Sequence, residues 1–103
     1  MSEHIALTET TYYILLSLYR PLHGYGIMQR AAELSGGRVR LAAGTLYGAL
    51  NALVDKGWIA LLPGEGRKKE YCLTPNGQKI LKNELERLRE LVASGDSVLK
   101  EEA

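Results

Sequence analysis

The residues best suited to recognition chemistry lie between Gly44 and Asn51. Hydrogen-bonding side chains at Thr45, Tyr47 and Asn51 are interleaved with Gly44 and Gly48, and none of the five carries a charge. An ordinary solvent-facing helix would place Lys and Glu there. Small residues let a helix approach another surface closely, and hydroxyl and amide groups match the donors and acceptors of base edges and phosphates. The same face also suits a slim helix packed on other protein. Tyr47 is compatible with either side, its hydroxyl toward a phosphate or its ring in the core.

Two further groups could meet an anion. His23-Gly24-Tyr25-Gly26 opens a helix whose free backbone N–H groups, with the His23 ring and the Tyr25 hydroxyl, could accept a phosphate oxygen. A plain turn is the alternative for His23. Gln29 stands where the third glycine of a dinucleotide-binding loop belongs, and no buried strand precedes the motif, which excludes that reading. The second group is Arg67-Lys68-Lys69 at a turn. Crowded cations repel one another, and an anionic partner relieves the repulsion, although a solvated tip would do the same for solubility alone. Catalysis and metal binding have no support. His4 and His23 are the only histidines, Cys72 the only cysteine, and no nucleophile–base set or ligand spacing emerges, so no cofactor and no metal are expected.

The elements that must hold these residues follow from periodicity. Thr8 and Glu9 form a helix start, and Tyr12 to Tyr19 is apolar nearly all round until Arg20-Pro21 ends it. A helix greasy on every side needs cover on more than one side, and a partner subunit is the expected cover. The next helix turns Ile27, Met28, Ala31 and Leu34 inward and stops at Ser35-Gly36-Gly37. Arg38-Val39-Arg40-Leu41 alternates like a short strand. The central helix has Leu46, Leu50, Leu53 and Val54 as its apolar stripe, with Ala49 filling it. Trp58–Leu62 and Glu70–Leu73 read as two strands around the basic turn, with Trp58 a hairpin-core or interface residue. Thr74-Pro75 then starts a long helix. Its seam is Leu81, Leu85, Leu88 and Val92 with Leu91 beside it, and Gly95-Asp96 is expected to kink or fray the last turns. Glu84, Glu86, Arg87, Arg89 and Glu90 read as its solvated face.

At 103 residues, 46% hydrophobic and 24% charged, the chain suits one domain with a modest core. No apolar run approaches a membrane span, the start does not resemble a signal peptide, and one cysteine fits a reducing cytoplasm. Cys72 is expected to be a buried or half-buried structural thiol. The net charge is only +1, but it is unevenly spread. Nine Lys/Arg stand against six Asp/Glu up to residue 79, and four against six beyond it, so the positive part contains the uncharged helix face.

Two helices, a third with small polar residues, a hairpin and a long helix spell a mainly α fold with a small β-hairpin. The expected architecture is a winged helix-turn-helix over 1–74 and a carboxy-terminal dimerisation helix over 75–103. The sequence also resembles the PadR-like transcriptional regulators over roughly residues 5–92. The resemblance is carried by His23-Gly24-Tyr25, Leu34-Ser35-Gly36-Gly37, and Gly44-Thr45-Leu46-Tyr47 with Leu50 and Leu53. Lys56-Gly57-Trp58-Ile59 and Arg67-Lys68-Lys69-Glu70-Tyr71-Cys72-Leu73-Thr74 with Gly77 complete it. It implies a homodimeric DNA-binding repressor of the compact branch, reading an inverted repeat in a promoter. In several such proteins a phenolic acid, drug or other hydrophobic compound releases the DNA. Two departures from the family pattern stand out. Ala42-Ala43 occupies the place of a polar cap, and Gly48 that of a bulkier residue.

Residue by residue, Thr45, Tyr47, Gly48 and Asn51 are expected at the bases. His23, Tyr25, Arg67 and Lys68 are expected at the DNA backbone, with Lys69, Arg38 and Arg40 as weaker contacts. Tyr12, Leu15, Leu16, Leu81, Leu85, Leu88, Leu91 and Val92 are expected between subunits. Tyr12, Tyr13, Leu16, Tyr19, Leu88 and Val92 could line an effector chamber, or simply pack. Two other readings remain: a dimeric small-molecule sensor, and a winged module used only for protein contact.

Overall fold

The structure is a computed structural model that describes residues 5–64 and 69–101. Four helices and one hairpin run in the order α1 (Glu9–Ser17), α2 (Gly24–Leu34), α3 (Ala43–Asp55), β1 (Ile59–Leu61), β2 (Tyr71–Leu73) and α4 (Pro75–Glu101). The mainly α fold with a small antiparallel hairpin is the one the sequence predicts. β1 and β2 pair in the register Ile59–Leu73, Ala60–Cys72 and Leu61–Tyr71.

Helix starts follow the cap residues. The Thr8 hydroxyl accepts from the Thr11 N–H at 3.1 Å, and the Thr74 hydroxyl accepts from the Gly77 N–H at 3.0 Å. α2 ends in a two-glycine turn with φ of 63° at Gly36 and 88° at Gly37, where the Gly37 N–H reaches back to the Ala32 carbonyl at 2.8 Å. Only glycine adopts that pair of conformations without strain.

One core joins all the elements. Ile14, Leu15 and Leu18 of the α1 region meet Ile27, then Leu46, Leu50 and Leu53 of α3, Trp58 and Ile59, Leu73, and Leu81 of α4. Trp58 lies in the hairpin core, and the Lys56 ammonium sits 4.8 Å from its ring centroid. Cys72 is half-buried.

Four sequence expectations need correction. Residues 38–41 form no strand, although Val39 is buried and Leu41 half-buried as the alternation implies. The pairing on the other side of β2 comes instead from Leu22, whose N–H and carbonyl exchange bonds with Tyr71 at 3.1 and 2.9 Å. α4 passes through Gly95 without a break. Val54 and Leu34 are exposed rather than inside: Val54 sits one position off the buried stripe of α3, and Leu34 ends α2 beyond its buried turns. Glu84, assigned to a solvated face, is 2% exposed.

Candidate nucleic-acid interface

α3 presents two chemically distinct faces. Leu46, Leu50 and Leu53 are buried, while Gly44, Thr45, Tyr47, Gly48 and Asn51 are exposed. At its N-terminus Ala42 makes no side-chain cap. The first N–H groups of a helix have no intrahelical acceptor, so an uncapped start leaves donors for an outside oxygen. The sequence departure at Ala42-Ala43 therefore removes a side-chain contact but not the backbone donors.

Tyr47 is 46% exposed, with its ring laid against Gly24 at the start of α2. A Cβ on residue 24 would overlap the Tyr47 hydroxyl, so glycine is what admits the ring there. The ring also lies near Tyr71, whose phenol is held above its ordinary pKa, first by burial and then by Tyr47. Tyr47 is thus half packing and half surface, which joins the two roles its sequence position left open.

At the α2 start, the His23 Nδ1 accepts from the Gly26 N–H at 3.0 Å. That bond uses one of the N–H groups that the sequence offered to a phosphate. It also requires the neutral ring to carry its proton on Nε2, leaving that N–H as the donor. Tyr25, in the first turn of α2, is exposed and shares a hollow with Gln29 and Arg40. Helix start and loop cation are so brought together.

Arg38 is placed elsewhere. Its guanidinium pairs with Glu9 of α1 at 3.0 Å and lines a hollow with Tyr12, Tyr13 and Leu88. Lys69 is exposed just before β2. Arg67 and Lys68 lie outside the described residues.

The residues expected between subunits divide. Leu15 and Leu81 are buried inside one protomer, so their apolar surface is already covered. Leu85, Leu91 and Val92 are exposed on α4, joined by Val98 and Leu99, which the sequence reading did not include. The proposed chamber divides as well. Tyr12, Tyr13 and Leu88 share one hollow, Leu88 and Val92 another, while Leu16 and Tyr19 line a third with Arg20 and Arg30. Tyr12 and Tyr13 meet edge to face with centroids 5.8 Å apart. Burial, Tyr13 and Glu84 together push the Tyr12 phenol above its ordinary pKa, against a smaller opposing effect of Arg89.

Sequence reasoning missed Glu84. Its carboxylate accepts from the Leu7 N–H at 2.8 Å and from the Arg87 Nε and Nη2 at 2.6 and 2.9 Å. The signal was available: steps of three and four residues place Glu84 on the face of Leu81 and Leu88. Among the described residues, no three His, Cys, Asp or Glu gather in a metal-like group, and no helix is long and apolar enough to cross a membrane.

Comparison with known proteins bears on this arrangement directly. The model of the transcriptional regulator PadR-like family matches residues 12–83. The chain belongs to the PadR-like family. A PadR family transcription regulator from Clostridium difficile R20291 superposes with a TM-score of 0.75 at 23% identity, over 89% of this chain and 99% of that one, which shows the shared fold. Bacillus subtilis PadR, solved in complex with operator DNA, gives a TM-score of 0.60 at 28% identity, over 77% of this chain and 48% of that one. An uncharacterised 37.1 kDa protein of transposon TN4556 from Streptomyces fradiae is 44% identical over 64 residues. The match covers 62% of this chain but only 18% of that relative's length. In this PadR-like chain the family motifs Gly-Thr-Leu-Tyr and His-Gly-Tyr supply, respectively, the exposed start of α3 and the glycine that receives Tyr47.

Proposed function

We propose that this PadR-like chain is a homodimeric repressor that binds an inverted-repeat operator through α3. The observation that carries the reading is the exposed, uncharged face of Gly44, Thr45, Gly48 and Asn51 on a helix whose other side is core. α3 enters the major groove, with Thr45 and Asn51 at base edges and the glycines permitting close approach. Tyr47 reaches the groove edge with the exposed part of its ring. His23, Tyr25, Arg40 and Lys69 hold the phosphates, and the sequence assigns Arg67 and Lys68 to the same role. Arg38, paired with Glu9, is the weakest of the backbone candidates. The operator complex of Bacillus subtilis PadR supports the reading by kinship.

Residues 75–103 form the dimerisation helix and residues 1–74 the winged domain. The hollow beside Tyr12, Tyr13 and Leu88 is where a hydrophobic or phenolic effector binds and releases DNA.

Selection of bound sequences from a random duplex pool tests the proposal, and a mirrored motif is the expected outcome. Asn51→Ala relaxes base preference at one position, by about 1–3 kcal/mol for a bidentate contact. Arg67→Ala with Lys68→Ala weakens all sequences alike and flattens the salt dependence. A double variant with altered discrimination and an unchanged salt slope would refute these assignments.

A further inference from the structure

We propose that Glu84 is a positioning residue for operator recognition. It locks the third turn of α4 to the start of α1, and thereby fixes the half-site spacing that the dimer accepts. The inference rests on the operator-binding reading above.

Besides the packing of Leu81 in the core, α4 is hydrogen-bonded to the winged domain at two places. The first is its origin. The Thr74 N–H bonds the Trp58 carbonyl at 3.0 Å, and the Thr74 hydroxyl donates to the Gly57 carbonyl at 2.6 Å while capping Gly77. One fastening fixes where a helix begins but lets it pivot. The second lies ten residues on, about 15 Å along the axis. There the Glu84 carboxylate takes the Leu7 N–H immediately before α1, and Arg87 holds it from the other side.

An apolar side chain at position 84 would fill the same space with contacts that tolerate sliding. A carboxylate bonded to one backbone N–H does not. Burying a charge pair seldom adds stability compared with apolar residues of similar size, so stability is a poor reason for its presence. Directional constraint is a better one.

Beyond Arg87, the large apolar residues Leu91, Val92, Val98 and Leu99 are exposed, so this part of α4 projects as a lever. Its end lies about 40 Å from Thr74, and a swing of about 5° about that origin displaces it by about 3.5 Å. That is close to the rise of one base pair, about 3.4 Å. A dimer joined through these levers can hold its two α3 helices to one spacing only if the pivot is blocked.

The test uses the full chain and a duplex library in which two selected half-sites are separated by spacers differing by single base pairs. The wild type is expected to lose about tenfold or more in affinity when the spacer changes by one base pair. The double variant Glu84→Met/Arg87→Met removes the directional bonds while filling the space. It is expected to lose threefold or less, at roughly unchanged half-site preference, dimer mass and melting temperature. Glu84→Met alone, which removes the acceptor of the Leu7 N–H and leaves the half-exposed Arg87 free to reach water, is read in the same way should the double variant not fold. A variant as sharp as the wild type overturns the inference, as does a wild type indifferent to spacer length. A wild type that selects no mirrored half-sites refutes the operator reading itself and this inference with it.

Discussion

Gly24 and Tyr47 come from different helices, and the contact between them links α2 to the exposed face of α3 proposed for recognition. The sequence marks both residues, but as separate motifs. Nothing in their spacing says that one makes room for the other, because the contact depends on the angle between α2 and α3. Glu84 shows the same limit differently. Its face was readable from helical steps, yet a carboxylate on a charged helix is ordinarily solvated, and only the Leu7 N–H reveals why this one is buried. The Gly24–Tyr47 contact gives a clear expectation. Gly24→Ala drives a Cβ into the Tyr47 ring and should cost about 1–3 kcal/mol in denaturant unfolding. Tyr47→Ala in the same chain should recover most of that loss, since the obstruction is gone. Strict additivity of the two changes would show that the contact is not what requires glycine.

Among elements, those marked by local chemistry were legible and those made by tertiary pairing were not. Thr8, Thr74 and Gly36-Gly37 mark helix ends through bonds within a few residues, and the structure places the ends there. The hairpin strands were legible in the same way. The Leu22–Tyr71 bridge was not, since a single rung has no period to detect. Gly95 misled for an energetic reason. A glycine in a helix costs about 1 kcal/mol relative to alanine, too little to break a run whose neighbours all favour the helix. Thr74 is the cap with most at stake, serving Gly77 and the Gly57 carbonyl together. Thr74→Ala should lower unfolding free energy by about 0.5–2 kcal/mol, and Thr74→Ser should restore most of it by returning the hydroxyl. Equal losses in the two variants would assign the effect to the Thr74 methyl group instead.

At the scale of the molecule, the long dimension of 57 Å reflects a helix that outruns its own core. The amino-terminal half of α4 is covered by α1 and the hairpin, while Leu85, Val92 and Leu99, seven residues apart, leave an apolar stripe exposed. Spacing of seven is the period of a helix seated against another helix, and Gly95 in the same seam permits close approach. A second copy of α4 would cover that stripe, and pairing would join two weak half-site contacts into one strong one. Val92→Glu with Leu99→Glu places repelling charges on the stripe without touching the protomer core. Sedimentation should then report a monomer where the wild type is dimeric, with a melting temperature for the winged domain within a few degrees of its own, since exposed substitutions rarely shift stability by more than about 0.5 kcal/mol. Operator affinity should fall about a hundredfold or more, as each half-site is bound alone. A dimeric double-glutamate variant would move the subunit contact off this stripe and onto another face of the molecule.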